Sequence, residues 1–257
     1  MENILKKDEL KEVSVGSPEY FRVQKKLIFE RPLLKHCYDI WYSKLTEDEN
    51  SVPSDKAGKL LELGSGGSYL KDLRPEVITS DVVDNVADLK VDARHLPFED
   101  QSLRAIFATH TIHHIPEIEK FFQEAERTLV SGGVISLIEV AKTPLAKFLF
   151  TRFHPEPFID ETDKWSFDQI DSMLDSNQAL SWIVFFRDKK KFEEKYPSLV
   201  VEAWSYLPWL SYILSGGVTK ESYIPSFLNP IIYLLDKLLT PFNFLGALHW
   251  HIRIRKK

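Results

Sequence analysis

At 257 residues the chain is long enough for one domain with its own core and short for several large ones. Apolar residues at 44% and charged residues at 28% exclude a disordered or low-complexity polymer as the main state. The balance of 33 basic and 38 acidic side chains, net −5, argues against a nucleic-acid partner held by blanketing phosphates, and the single cysteine, Cys37, excludes an internal disulfide and favours a reducing compartment.

The opening MENILKKDELKEVS alternates charge with isolated apolar residues and does not read as a signal peptide. The longest charge-free stretch, residues 203–219, is interrupted by Pro208 and Gly216-Gly217, so no spanning helix of ~20 apolar residues is expected and the protein is read as cytoplasmic. Residues 17–45 read as helical: Ser17 supplies a capping hydroxyl, Pro18 suits the first helical position, and Pro32 should break or kink the run. Residues 45–59 are polar and read as a linker.

The texture then changes. KLLEL (59–63) is a short apolar run stopped by Gly64-Ser65-Gly66-Gly67, which fits a buried strand and a glycine-rich turn. Residues 77–79 give a second strand ending at Asp81, residues 89–91 a third ending at Asp92, and RAIFAT (104–109) a fourth. Residues 116–130 form the clearest helix, with Ile118, Phe121, Phe122, Ala125 and Leu129 on one stripe and Gly132-Gly133 as a left-handed exit. VISLIEV (134–140) is a fifth strand. Residues 142–195 read as an insertion with helical pieces, and residues 199–201 and 247–255 as the last two strands. This rhythm predicts an α/β fold, a doubly wound, mostly parallel seven-stranded sheet with helices on both faces and a helical cap. One domain over 1–257 is expected: a helical cap (1–58), a cofactor-binding core (59–141), and a substrate-side insertion with the last strands (142–257).

The strongest constellation is Glu62-Leu63-Gly64-Ser65-Gly66-Gly67 with Asp81 and Asp92 downstream. Glycines let the chain turn sharply and let a ligand approach the backbone, where the next helix would present free N–H groups. An acid ending the second strand can accept from the two hydroxyls of a ribose, and one ending the third can bond the amine of an adenine. A dinucleotide fingerprint wants glycine at the sixth place of the loop, which is Tyr69 here, and no phosphate-loop lysine follows. A phosphate-free adenosine cofactor, S-adenosylmethionine, fits better.

In these pieces the chain resembles the class I S-adenosylmethionine-dependent methyltransferases, in particular the small-molecule group that includes quinone and sugar methyltransferases. LLELGSGGS resembles the family's first motif, SDVV its ribose-binding second strand, and VDARHLPFED its Asp-Ala-x-x-Leu-Pro-Phe segment. IFATHTIHHI resembles its fourth strand and exit, and RTLVSGGVISLIEV its helix, Gly-Gly and fifth strand. Ser68, where the family often has a third glycine, and Ser131, where a proline usually stands, depart from the pattern. The resemblance implies that Glu62, Gly64, Ser65 and Gly66 face the methionine part of the cofactor and Thr109 and His110 border its end. It implies that Asp81 and Val82 flank the ribose and adenine, with Asp92 and Ala93 at the adenine.

Methyl transfer from a sulfonium needs acceptor, methyl and sulfur held in line, and a hydroxyl acceptor gains from a general base. His113 or His114 follows the fourth strand, and Glu139 near the end of the fifth could orient a histidine. The resemblance to sugar O-methyltransferases extends to His113 and Glu139; alternatively the histidine pair only packs the helix entry. His110 and His114 stand four apart, but no cysteine or nearby glutamate completes a zinc pattern, so no metal is expected.

The acceptor is expected to be a small molecule, sugar, quinone-like or lipid-linked. Trp182, Trp204 and Trp209 could stack on a sugar, and Asn177-Gln178 could bond it or cap a helix. An apolar segment from Tyr223 through Ile231, Ile232, Leu234, Leu235, Leu238 and Leu239 reads as a lid, as core, or as a membrane-surface helix assisted by Arg253, Arg255, Lys256 and Lys257. Two other functions stay open: a non-catalytic nucleoside-binding regulatory subunit, and a dinucleotide-dependent oxidoreductase, which Tyr69 opposes.

Overall fold

The computed structural model describes residues 13–171, 175–222 and 224–257. The opening residues 1–12, read above for a leader, and Tyr223 lie outside them.

Seven strands form one sheet: β1 (Lys59–Leu63), β2 (Ile78–Asp81), β3 (Leu89–Lys90), β4 (Leu103–Thr109), β5 (Leu129–Val140), β6 (Leu199–Tyr206) and β7 (His249–Lys256). Their spatial order is β3-β2-β1-β4-β5-β7-β6, with β7 antiparallel to both neighbours and every other pairing parallel. The expected seven-stranded, mostly parallel sheet is therefore present. Its strands read as unbroken apolar runs because both faces are covered. Along β4, Ile106 and Ala108 enter one core with Phe121, Phe122, Phe185 and Phe192, while Ala105 and Phe107 enter the other with Leu34, Trp41 and Leu45.

Helix α1 (Pro18–Glu30) starts as its sequence predicts: the Ser17 hydroxyl accepts from the Tyr20 N–H at 3.2 Å. The chain breaks at Arg31 and restarts as α2 (Pro32–Asn50), so the polar residues 45–50 are helix and the linker is shorter than expected. Two of the three acids there, Asp48 and Glu49, are buried. Asp48 accepts from Ser136 at 2.5 Å and meets His251 at 2.7 Å, and Glu49 pairs with Arg104 at 2.5 Å.

After the glycine loop, α3 (Leu70–Leu73) is a single turn, not the full helix expected to present its N–H groups. Helix α4 (Ile118–Thr128) carries the predicted stripe. Gly132 is left-handed (φ 86°) as foreseen but sits inside β5, where the ladder with β4 shifts register. The insertion holds α5 (Pro144–Phe153), α6 (Leu180–Trp182) running into a π-helical turn (Ile183–Arg187), and α7 (Lys189–Lys195). Between β6 and β7 lie α8 (Leu210–Ser215), α9 (Asn229–Leu239) and α10 (Asn243–Gly246). Among the described residues no helix is long and apolar enough to cross a membrane.

Candidate active site

The carboxyl ends of β1, β2, β4 and β5 and the first residue of β7 meet at one edge of the sheet, where a cavity of about 340 Å³ opens. That is within the ~300–1,000 Å³ of small-molecule sites. One wall is the glycine loop. Gly64 (φ 58°) and Gly66 (φ 50°) are left-handed, and a Cβ would strike the Thr111 side chain at the first and come within 2.9 Å of the Phe21 ring at the second. Helix α1 thus lies directly on the loop, and Tyr20, Phe21 and Gln24 join the lining.

Asp81 fastens the loop to β2. One carboxylate oxygen accepts from the Gly66 N–H and the other from the Val83 N–H, each at 3.0 Å. Glu62 lies beneath the loop, accepting from the Ser68 hydroxyl (2.7 Å) and the Tyr42 hydroxyl (3.2 Å). Burial pushes its carboxyl up to about 7, against these two hydrogen bonds. The Ser65 hydroxyl, on the cavity wall, is buried with no hydrogen-bond partner among the described residues.

Of the cofactor residues anticipated, Gly64, Ser65, Gly66, Asp81, Val82, Thr109 and His110 line the cavity. Glu62 supports it from below. Asp92 and Ala93 are not brought to it: the Asp92 carboxylate is gripped by the Arg94 guanidinium at 2.7 and 3.0 Å, which lowers its pKa, and Ala93 is buried in the core. Nothing in the local pattern marks Arg94, two residues on, as the partner of that acid.

The opposite wall is rich in imidazole. Five of the eight histidines line the cavity: His110, His113, His114, His154 and His249. His110 is left-handed (φ 52°), unusual outside glycine, and its ring is wedged against Trp41 and His249. Burial pushes His110 and His114 down to about 4 and His249 well below its usual value, so these rings are neutral at pH 7.

His113 differs. Its Nδ1 lies 2.5 Å from Glu139, whose other oxygen accepts from the Thr111 and Ile112 N–H groups at 2.9 Å each. The anticipated pairing of His113 with Glu139 is therefore made. A second carboxylate, Glu156, sits 3.5 Å from Nε2. Burial opposes charge on the ring, yet the two carboxylates outweigh it and push His113 up to about 10. With only these partners the ring is protonated at neutral pH and has no lone pair for an acceptor's proton.

Glu156 and Gln178 are the site residues that sequence reading missed or demoted. Glu156 accepts from Ser176 (2.9 Å) and Gln178 (3.0 Å), and it stands 3.5 Å from His114 Nε2. It belongs to no helix or strand, so periodicity could not find it. Asn177, by contrast, accepts from the Ile159 and Ala179 N–H groups and organises the loop.

The tryptophans do not line the cavity. Trp182 covers the Lys142 ammonium at 3.5 Å, and Trp204 packs on Phe186 and Trp250. Helix α9 buries Ile232 and Asp236 on one face but does not line the cavity, and its Ile231, Leu234, Leu235 and Leu238 are exposed. The basic residues of β7 are spent elsewhere, Arg253 and Arg255 on Glu202, and Lys256 on the Glu126 and Leu129 carbonyls.

Residues 61–137 match a family model described as a methyltransferase domain. Over 109 residues the chain is 32% identical to the ubiquinone/menaquinone biosynthesis C-methyltransferase UbiE of Brucella canis, covering 42% of this chain and 36% of that protein. The chain thus spans about a third of the length of the curated relatives it matches. Among solved structures, geranyl diphosphate C-methyltransferase from Streptomyces coelicolor, in complex with Mg2+, geranyl diphosphate and S-adenosyl-L-homocysteine, aligns with TM-score 0.54 at 15% identity, over 97% of this chain and 87% of that one. A SAM-dependent methyltransferase from Archaeoglobus fulgidus aligns with TM-score 0.51 at 14% identity, over 85% and 94%. At these identities the structural likeness establishes the fold.

Proposed function

We propose that the protein, whose residues 61–137 match a methyltransferase-domain model, is a class I S-adenosylmethionine-dependent methyltransferase that transfers a methyl group to a small molecule bearing an oxygen nucleophile. The observation that carries this reading is the two-sided cavity, glycine loop on one wall and imidazole–carboxylate cluster on the other. The residues fit a nucleoside: the loop backbone is open to close approach, Asp81 can accept from ribose hydroxyls with its remaining lone pairs, and the buried Ser65 hydroxyl lacks a partner. The cofactor supplies an electrophilic methyl group. The chain's own residues hold the reactants in line and keep water out, with Tyr38, Tyr42 and Tyr212 forming the apolar side.

The polar wall of His113, His114, His154, Glu156 and Gln178 favours an acceptor with hydroxyl groups over a bare hydrocarbon. We also infer that the acceptor is lipid-linked. Helix α5 places Phe150 in the cavity while Phe148 and Phe153 face outward, and α10, packed on α5, adds exposed Phe244 and Leu245. With the exposed leucines of α9 these residues supply apolar surface suited to a membrane.

Calorimetry with S-adenosylhomocysteine and with NADH tests the cofactor. Binding of the first alone is expected, and binding of NADH alone would overturn the reading. Release of S-adenosylhomocysteine on addition of a lipid extract separates an enzyme from a nucleoside-binding regulatory subunit.

A further inference from the structure

We propose that His113, His114 and Glu156 form a binding site for a divalent cation of the zinc type, with an open coordination position facing the cavity. One ligand atom from each lies within 4.8 Å of the other two. The Glu156 oxygen stands 3.5 Å from Nε2 of His113 and 3.5 Å from Nε2 of His114. Donors on a tetrahedral zinc at ~2.0–2.1 Å are about 3.3 Å apart, so the two edges from Glu156 already match one face of a coordination tetrahedron, and the histidine–histidine edge, within 4.8 Å, closes on it by rotation of the half-buried His114 ring. Among the described residues no other group of three such side chains converges in this way.

The surroundings carry the same signature. A histidine ligand commonly gives its other nitrogen to a carboxylate, which fixes the ring. Nδ1 of His113 is so committed, to Glu139, and Glu139 is itself held by two backbone N–H groups. Glu156 is steadied by Ser176 and Gln178. His114 keeps Nε2 toward Glu156, and its Nδ1 is buried without a hydrogen-bond partner among the described residues. Glu139 and Glu156 together bring two negative charges to a buried ring; a dication balances both, where one proton balances one.

All three ligands line the cavity that the glycine loop enters. The inference therefore deepens the proposed methyl transfer and rests on it for its purpose. An acceptor hydroxyl on the open position loses its proton to solvent at a lower pH than a free alcohol. The oxygen then forms its bond to the methyl carbon while the carbon–sulfur bond breaks, its electron pair passing to sulfur. No side-chain base is required.

The test titrates chelator-stripped full-length protein with Zn2+ by calorimetry, and with Co2+ by electronic absorption. One equivalent is expected, with tetrahedral Co2+ bands. His114→Ala and Glu156→Gln are expected to abolish stoichiometric binding, and Glu139→Gln to weaken it about 10–100-fold through the ring it orients. His95→Ala, on an exposed loop, is expected to bind as wild type. Circular dichroism and S-adenosylhomocysteine binding run on each variant, and folded variants alone are scored. Absence of stoichiometric metal in wild type, or binding unaffected by both His114→Ala and Glu156→Gln, overturns the site. If S-adenosylhomocysteine still binds, the methyl-transfer reading survives that result; if wild type binds metal but no S-adenosylhomocysteine, the ion stands and its proposed use falls.

Discussion

Glu62 is a carboxylate with 1% of its surface exposed, and replacing it with glutamine should change how stability varies with pH. The unfolded chain releases this proton near 4.5 and the folded chain holds it until about 7. Between those values the folded state binds more protons than the unfolded state, so stability falls as pH rises, by about 1.4 kcal/mol per pH unit. The full window costs the wild type about 3 kcal/mol, present above pH 7 and absent below 4.5. Glutamine can still accept from Ser68 and donate to the Tyr42 oxygen, so any lost hydrogen bond adds an offset of about 1 kcal/mol that does not vary with pH. Urea denaturation of both proteins at pH 5 and pH 8 is the assay, and the quantity read is wild type minus variant, which cancels the other titrating groups. The wild type should lose about 3 kcal/mol relative to Glu62→Gln across that interval. Parallel profiles would show that the carboxyl is hydrated or paired and would refute the argument from burial.

Asp81→Ala should weaken S-adenosylhomocysteine binding about 10–100-fold by calorimetry, since a charged acceptor is lost and the Gly66 N–H is freed. Asp92→Ala should change that affinity less than threefold, roughly under 0.7 kcal/mol, because Arg94 already occupies the carboxylate. Exchanging Leu234 and Leu238 together for glutamate should lower co-sedimentation with lipid vesicles at least about tenfold, as each leucine contributes roughly 1.5–3 kcal/mol when buried in an apolar phase. Phe122→Ala should lower unfolding free energy by about 3–5 kcal/mol, because its ring packs against Phe185, Phe192 and Tyr196 at zero exposure.

The sheet was legible because short apolar runs bounded by glycine and aspartate survive any tertiary context. Helix α4 was legible because Ile118, Phe121, Phe122 and Ala125 share one stripe. The end of α2 was not, since TEDEN reads as linker until Asp48 and Glu49 find Ser136, His251 and Arg104. The glycine-loop wall followed from local order, whereas the opposite wall depends on Glu156, more than 40 residues from His113 and His114 in sequence. The cluster of His113, His114 and Glu156 was hidden for the same reason: a search for a glutamate near the histidines along the chain finds none, and the fold brings one across the cavity. The asymmetry of Asp81 and Asp92 was likewise invisible, because each ends a strand and only the neighbours of each decide its freedom.

The strand order carries a consequence for biogenesis. The seventh strand lies between the fifth and the sixth, and the sixth pairs with no other. During synthesis, then, β5 keeps one open edge and β6 has no partner until β7 emerges, and β7 must insert between them. Its arrival also delivers His251 to Asp48, 203 positions earlier, fastening α2 to the seventh strand. A nascent chain arrested before residue 249 would expose the unpaired edges of β5 and β6 to its neighbours.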